Sequence, residues 1–445
     1  MRKIVMPVLT SNSRLQNAAA RSLLFTCVLT FALAIPLEPA SASETTPTLF
    51  QTHQPALFQI KVIDVPSGNR SALGTGFAID DNLVATNYHV ISQFLENPGN
   101  IDIHLVDEHN EEHPVTVVAI DVIDDLALLY SDKELPAQLQ LADDAPNIGA
   151  TIYALGNPYD LGMSVTEGIY NGVKEESFPR RVHYSGPVNS GMSGGPTVNG
   201  AGQVVGINVA TAGNSVGFLV PVDSLQRLWA SADLEALDDE QMITRIGEQL
   251  LATQDDLMTK LLQAPWPEES FGGALVPGKG AEFMSCWGGT SEEDDTGIDS
   301  IRRGCNSGQQ VRIKRGFSST YIEYEFAHLS SDKLGSFRLY NQASGAFAMS
   351  YPANRVREDD ASNYHCVEDH ILADAAMGDP TRFKAIYCSR AYREVEGLYD
   401  AFYVGMTTDK SDEILFTHFT LSGFSEENIK RFLTRFLGSI QWQSS

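Results

Sequence analysis

The chain is predicted to fold as a β-rich N-terminal domain over 48–230, a helical linker over 231–267 and an α+β domain over 268–445. Two observations set this division. Before Pro221 the segments rich in β-branched residues are short and punctuated by glycine, as in Gly202-Gln203-Val204-Val205-Gly206-Ile207-Asn208-Val209-Ala210, which with Thr197-Val198 reads as a hairpin. After it the spacing becomes helical, with Ile243, Ile246, Leu250, Leu257 and Leu261 repeating between acids from Asp238 to Gln263, and Ala264-Pro265-Trp266-Pro267 ending the run.

The first 42 residues read as an export signal. Arg2, Lys3, Arg14 and Arg21 form a basic start, Leu23 to Ile35 an apolar core, and Ala40-Ser41-Ala42 a small-residue cleavage site. Cleavage after Ala42 is expected, an uncleaved anchor being the alternative; no other segment is apolar enough to span a bilayer. Cys27 falls inside the apolar core, and apolar residues continue past it, which argues against a lipid attachment there. With 31 basic and 57 acidic residues, a net charge of −26, the chain repels nucleic acid and anionic membrane surfaces. Neither is an expected partner.

Three segments carry chemistry. Val84-Ala85-Thr86-Asn87-Tyr88-His89-Val90 supplies an imidazole, Asp125-Leu126-Ala127-Leu128-Leu129 a carboxylate and Gly191-Met192-Ser193-Gly194-Gly195-Pro196 a hydroxyl set among glycines. A serine attacks a carbonyl only when a neutral imidazole takes its proton, and that imidazole must be oriented by a carboxylate. His89, Asp125 and Ser193 are the candidates for those roles. Asp121 and Asp124 lie close to Asp125, but on an extended strand Asp124 would face the opposite way. Glycine two positions before the serine lets the chain curl until the amides of Gly191 and Ser193 converge on a developing oxyanion. No metal or cofactor is required.

The order His, Asp, Ser and the wording around each residue resemble the trypsin-like serine proteases, particularly the HtrA (Deg) branch. Thr86-Asn87-Tyr88-His89-Val90 is similar to that branch's T-N-x-H-V, Asp125 to Leu129 to D-[IL]-A-[VL]-L, and Gly191 to Pro196 to G-N-S-G-G-P. Ala154-Leu155-Gly156-Asn157-Pro158 and Gly217-Phe218-Leu219-Val220-Pro221 also match, so the resemblance covers about residues 50–230. It implies an all-β double β-barrel and an exported, periplasmic or secreted endopeptidase acting on protein or peptide substrates, unfolded or extracytoplasmic ones included. In the family the residue six before the nucleophile lies at the base of the specificity pocket. Here that is Pro187, with Val188 beside it and Ile207, Asn208 and Val209 as the expected wall; without a carboxylate, aliphatic rather than basic P1 residues are expected. The same Gly-x-Ser-x-Gly pattern fits the strand–turn–helix elbow of α/β-hydrolases, but the β-branched hairpin after Pro196 argues against it.

Two departures from the family stand out. Met192 replaces the usual Asn before the nucleophile, which leaves open a latent protease fold serving as a binding or chaperone scaffold. HtrA-like proteases also usually continue into PDZ domains, and no carboxylate-binding loop of that kind follows here. Instead Cys286, Cys305, Cys366 and Cys388 lie in the last third of the chain, an even number that argues for disulfides in an exported protein. Three connectivities are open, and the local pairs Cys286–Cys305 and Cys366–Cys388 are expected. Strands are predicted at Val311–Arg315, Tyr321–Phe326, Phe337–Tyr340, Phe383–Tyr387, Tyr399–Val404 and Ile414–Leu421. A closing helix follows the N-cap Ser425, with Ile429, Phe432, Leu433, Phe436, Leu437 and Ile440 along one face. Glu292-Glu293-Asp294-Asp295 lacks calcium-loop spacing and reads as a solvated acidic loop; His365-Cys366-Val367-Glu368-Asp369-His370 lacks the spacing of a common zinc site.

Overall fold

The computed structural model describes residues 45–443 apart from 175–176, 212–215, 292–296, 349, 353, 355 and 374–380. The signal segment through Ala42 and the acidic cluster Glu292–Asp295 lie outside the described residues. After helix α1 (Thr45–His53), strands β1 (Leu57–Asp64), β2 (Asn69–Asp80), β3 (Leu83–Thr86), β4 (Ile101–Val106), β5 (Glu112–Asp121) and β6 (Leu126–Ser131) close into an antiparallel barrel of order β1-β2-β3-β6-β5-β4. The short helix α2 (Tyr88–Ile91) follows β3. A second barrel, of order β10-β11-β12-β9-β8-β7, is formed by β7 (Thr151–Gly156), β8 (Ser164–Lys174), β9 (Arg181–Tyr184), β10 (Pro196–Val198), β11 (Val204–Thr211) and β12 (Gly217–Pro221). Alternation explains the closure. One set of side chains, including Ile60, Val62, Val84, Leu105 and Leu129, fills the first barrel, while Phe77, Leu128, Leu155, Ile207 and Val220 meet between the barrels. Each such fully buried side chain stabilises the fold by roughly 1.5–3 kcal/mol.

Helix α3 (Val222–Ser231) lays Leu225 and Leu228 on the inter-barrel core. Helix α4 (Asp239–Gln263) then starts at a reciprocal cap: the Asp238 carboxylate accepts the Gln241 N–H (2.8 Å) and the Gln241 side chain accepts the Asp238 N–H (2.9 Å). Its 25 residues span about 37 Å. The N-terminal half buries Met242, Ile246 and Leu250 against the first barrel, and the C-terminal half buries Met258 and Leu261 against the sheet that follows. The helix is therefore a strut with both ends in a core.

Beyond it come a small sheet made by β13 (Glu268–Phe271), β14 (Ala274–Pro277) and the chain-terminal β24 (Gln441–Trp442), and a seven-stranded antiparallel sheet. The large sheet runs β15-β16-β19-β23-β22-β21-β20, from β15 (Ser285–Ser291), β16 (Asp299–Asn306), β19 (Tyr321–Ser330), β20 (His365–Ala373), β21 (Thr381–Ala391), β22 (Tyr399–Thr407) and β23 (Glu413–Phe424). On one face Tyr324, Phe326 and Phe419 meet Phe432 and Phe436 of α6 (Glu426–Leu437), whose N-cap Ser425 accepts the Asn428 N–H. On the other lies α5 (Ser336–Ala348). The strand expected at Phe337–Tyr340 is thus the first turn of a helix, because Leu339, Ala343 and Phe347 recur every four residues and pack on Phe402, Val404 and Met406. Cys286–Cys305 joins β15 to β16 and Cys366–Cys388 joins β20 to β21, each across directly opposed residues. Cys366 is thereby withdrawn as a metal ligand. A two-stranded hairpin, β17 (Val311–Lys314) and β18 (Phe317–Ser319), leaves the sheet and buries Val311, Ile313 and Phe317 in the first barrel's core cluster.

Candidate active site

Helix α2 delivers His89, and the turn before β6 delivers Asp125. Three consecutive residues grip that aspartate. Asn87 Nδ2 (2.8 Å) and the Tyr88 N–H (3.2 Å) donate to its carbonyl, the His89 N–H donates to Oδ1 (2.8 Å), and His89 Nδ1 lies 2.7 Å from Oδ2. A carboxylate only accepts, so Nδ1 carries the ring proton and Nε2 is left with a lone pair. Asp125 can face α2 with both carbonyl and carboxylate because its φ is +65°. This is a left-handed position that aspartate tolerates better than most residues. Asp125 therefore sits in a turn and not on the extended strand assumed from the sequence. Asp124 is turned away toward Arg181 (3.9 Å) and Arg227 (3.4 Å).

Backbone planes around Ser193 are pinned from three sides. The Ser190 carbonyl accepts the Tyr159 N–H (2.8 Å), the Gly191 carbonyl accepts Thr75 Oγ1 (2.7 Å), and the Met192 carbonyl accepts the Gly195 N–H (3.0 Å) and Asn208 Nδ2 (3.3 Å). In a trans peptide the N–H points opposite its carbonyl, so the Gly191 and Ser193 amides face away from these anchors. Among the described residues neither amide donates to a protein acceptor. Glycine is required at 191, where φ is +95° and a Cβ would lie 2.3 Å from the Asn157 carbonyl oxygen, and at 194, where φ is +84° and a Cβ would lie 2.2 Å from the Thr75 oxygen. Ser193 Oγ lies 3.5 Å from the Val209 carbonyl. Rotation about one Cα–Cβ bond redirects it.

Met192, the departure from the family pattern, is fully buried among Tyr184, Val188 and Leu219 in the second barrel. Its side chain anchors the loop from beneath and does not enter the space above Ser193.

Thr75 is a hub that sequence reasoning overlooked. Fully buried, it donates its hydroxyl to Gly191, accepts the Asn157 N–H on the same oxygen (3.0 Å), donates its amide to the Ser193 carbonyl (2.8 Å) and accepts Thr86 Oγ1 on its own carbonyl (2.7 Å). Its segment, Gly74-Thr75-Gly76-Phe77, comes beside the nucleophile loop only in the fold. Two other supports come from the second half of the chain. Tyr88 Oη donates to the Ile313 carbonyl (2.6 Å), and Gln249 of α4 donates to the Ile120 carbonyl and accepts the Val122 N–H (both 2.8 Å), clamping the backbone that leads to Asp125.

The expected pocket residues separate. Val188 is buried, and with Tyr184 it comes against Gly217, where an added Cβ would lie 2.9 Å from a Val188 methyl. Val209 borders the nucleophile. Ile207, however, is fully buried between the barrels, so it has no surface for a substrate. Asn208 is equally buried and spends its amide on Leu155, Met192 and Thr197, holding the loop rather than lining a pocket. Pro187 is exposed. A register shift between Asn208 and Ala210 of β11 sets Val209 apart from its neighbours in sequence.

Charge beside the site is concentrated on one side. Asp121 accepts the Ile123 and Asp124 N–H groups (3.0 and 2.9 Å), yet burial, and then the Asp124 charge, push its carboxyl up to about 6. Burial lowers the pKa of the Arg181 guanidinium, while the charges of Asp125, Asp124 and Asp121 oppose that shift. Among the described residues the one metal-like grouping, Asp107, Glu111 and His113, lies on the β4–β5 turn.

Part of the chain is similar to known proteases. A family model described as a trypsin-like peptidase domain matches residues 74–207. A "probable periplasmic serine endoprotease DegP-like" of Chlamydia pneumoniae is 30% identical over 187 residues, covering 40% of this chain and 37% of that protein. The periplasmic serine endoprotease DegP of Salmonella typhimurium is 35% identical over 172 residues, 35% of each chain. The crystal structure of the serine endoprotease from Yersinia pestis aligns at 26% identity and TM-score 0.37, covering 41% of this chain and 65% of that one. The chain thus spans well under half the length of these two curated relatives. The two closed barrels, the His89–Asp125 pair and the glycine-bounded Ser193 all fall within or beside the matched region, and this chain carries a trypsin-like serine protease domain of the HtrA type.

Proposed function

We propose that the chain is a serine endopeptidase acting outside the cytoplasm, in which Ser193 attacks the scissile carbonyl, His89 carries the proton and the Gly191 and Ser193 amides receive the oxyanion. The observation that carries this reading is the double hold of Asp125 on His89, through main-chain N–H and ring Nδ1. It places the proton on Nδ1 and leaves Nε2 basic, as general-base catalysis needs. As the oxyanion forms, two amides already aimed by fixed peptide planes stabilise it without reorganisation. His89 then returns the proton to the leaving amine, and water repeats the sequence on the acyl-enzyme.

Substrates are polypeptides. Val209 and Phe218, the half-buried second-barrel residues lining the cleft beside His89, offer no counter-charge, which supports small or medium aliphatic P1 residues over Lys or Arg. Two disulfides and the periplasmic relatives support an extracytoplasmic location. The test is labelling of the purified protein with a fluorophosphonate, beside Ser193→Ala and His89→Ala, with casein turnover as second readout. Labelling lost in both variants is expected. A folded, disulfide-intact wild type that neither labels nor cleaves casein would replace this reading with a latent protease scaffold.

A further inference from the structure

The hairpin β17–β18 reaches the catalytic histidine from the opposite half of the chain. Resting on the peptidase reading above, we infer that residues 309–312 form one wall of the substrate cleft and that Arg312 selects an acidic side chain flanking the scissile bond.

A cleft of about 250 Å³ runs beside His89 and Asp125. Val209 and Phe218 of the second barrel line one side, and the segment Gln309 to Arg312 lines another. Attachment of that segment is firm. Val311, Ile313 and Phe317 share a core with Tyr88, Phe94 and Leu95, and Tyr88, the neighbour of His89, donates to the Ile313 carbonyl. Lys314, itself buried, pairs with Asp360 at 2.6 Å and reaches the Leu95 carbonyl at 3.4 Å.

Strand alternation then fixes what the wall presents. With Val311 and Ile313 inward, Gln310 and Arg312 must point outward, and both are exposed. Other charged groups near this cleft already have partners: Asp125 holds His89, Arg181 faces Asp124, and Glu394 lies 3.5 Å from Lys314. Arg312 makes no ion pair among the described residues. It is an exposed guanidinium lining the cleft in a chain of net charge −26. A peptide carboxylate is the complementary group, and a guanidinium binds it through two parallel N–H donors.

The experiment uses the full-length protein, Arg312→Gln and Arg312→Glu, with a peptide library placing Asp, Glu, Gln, Lys or Arg at each position around one scissile bond. Preference is read as the acidic-to-basic ratio of kcat/KM within each protein, with fluorophosphonate labelling counting competent sites. An exposed ion pair predicts a ratio of about 3–5 at one position for wild type. Arg312→Gln is expected to bring it to about 1, and Arg312→Glu to invert it. The same peptides are titrated onto Ser193→Ala and its Arg312 double variants, so that the ratio of Kd values reports selection without turnover. A wild type that does not label removes the peptidase reading, while the Kd ratios still decide this one. Ratios that are identical in all three Arg312 backgrounds, at every position and in both readouts, overturn it.

Discussion

Replacing Thr75 by valine keeps the shape of the side chain and removes one oxygen. That oxygen donates to the Gly191 carbonyl at 2.7 Å and accepts the Asn157 N–H at 3.0 Å, both in buried surroundings. Each partner left unsatisfied costs about 1–3 kcal/mol, so Thr75→Val is expected to lose about 2–6 kcal/mol of stability. The activity cost has a separate origin. With its carbonyl released, the Gly191–Met192 peptide keeps only the Met192 N–H bond to the Asn189 carbonyl (3.0 Å), so the oxyanion loop is held less firmly, and misplacing one oxyanion donor lowers kcat about 10²–10³-fold. Thr75→Ser keeps both hydrogen bonds and loses only a methyl group, so it should retain most activity at a cost of about 1 kcal/mol. Denaturant melts and peptide kcat, measured on both variants below their unfolding transitions, separate the two effects. A folded Thr75→Val with wild-type kcat, or a Thr75→Ser as slow as the valine variant, would refute the reasoning.

Further outcomes follow from the same geometry. Gly191→Ala, whose Cβ would lie 2.3 Å from the Asn157 oxygen at a φ of +95°, should reduce kcat by about 10²-fold or more; unchanged single-turnover acylation would show that this amide is not an oxyanion donor. Gln249→Leu removes the clamp on Ile120 and Val122 and should cost about 1–3 kcal/mol in denaturant unfolding, together with a fall in kcat/KM as Asp125 loosens. Asp121, with its folded pKa raised to about 6, binds its proton more tightly in the folded than in the unfolded chain. Its contribution is therefore favourable at low pH and is lost as pH rises through 6, amounting to about 2–3 kcal/mol. Asp121→Asn should flatten the stability profile between pH 4 and 6, and denaturation midpoints with the same pH slope in both proteins would contradict the assignment.

The residues brought together at the site were legible to different degrees, for physical reasons. His89 and Ser193 stand out because their chemistry demands rare neighbours, glycines above all, and these are visible as letters. Asp125 could be picked from its neighbours, but its left-handed turn could not, since nothing local distinguishes it from the first residue of a strand. Thr75 and Gly191 are separated by 116 positions, and Tyr88 and Ile313 by 225. Contacts at such range depend on barrel closure and on where a hairpin lands, neither of which leaves a mark in periodicity. Ile207 and Asn208 were assigned to a pocket because they neighbour Val209 in sequence, and the register shift between Asn208 and Ala210, which sets Val209 apart, leaves no local mark. Phe337–Tyr340 alternates over too few residues to separate two periods, and the helical stripe becomes plain only when Ala343 and Phe347 are included.

The two halves of the chain share one piece of physics at the active site. Helix α4 is anchored by Met242, Ile246 and Leu250 on the first barrel and by Met258 and Leu261 on the seven-stranded sheet, so neither core can shift without pulling on the other. Along that helix Gln249 holds the backbone entering the Asp125 turn, and from the other direction the hairpin holds Tyr88, next to His89. Asp125 and His89 are thus each buttressed by an element that the family match does not cover. Interior packing transmits small displacements because it leaves little void to absorb them, and proton transfer between positioned groups is sensitive to shifts well below a bond length. A change in the C-terminal sheet that moves α4 or β17 is therefore expected to disturb the His89–Asp125 geometry.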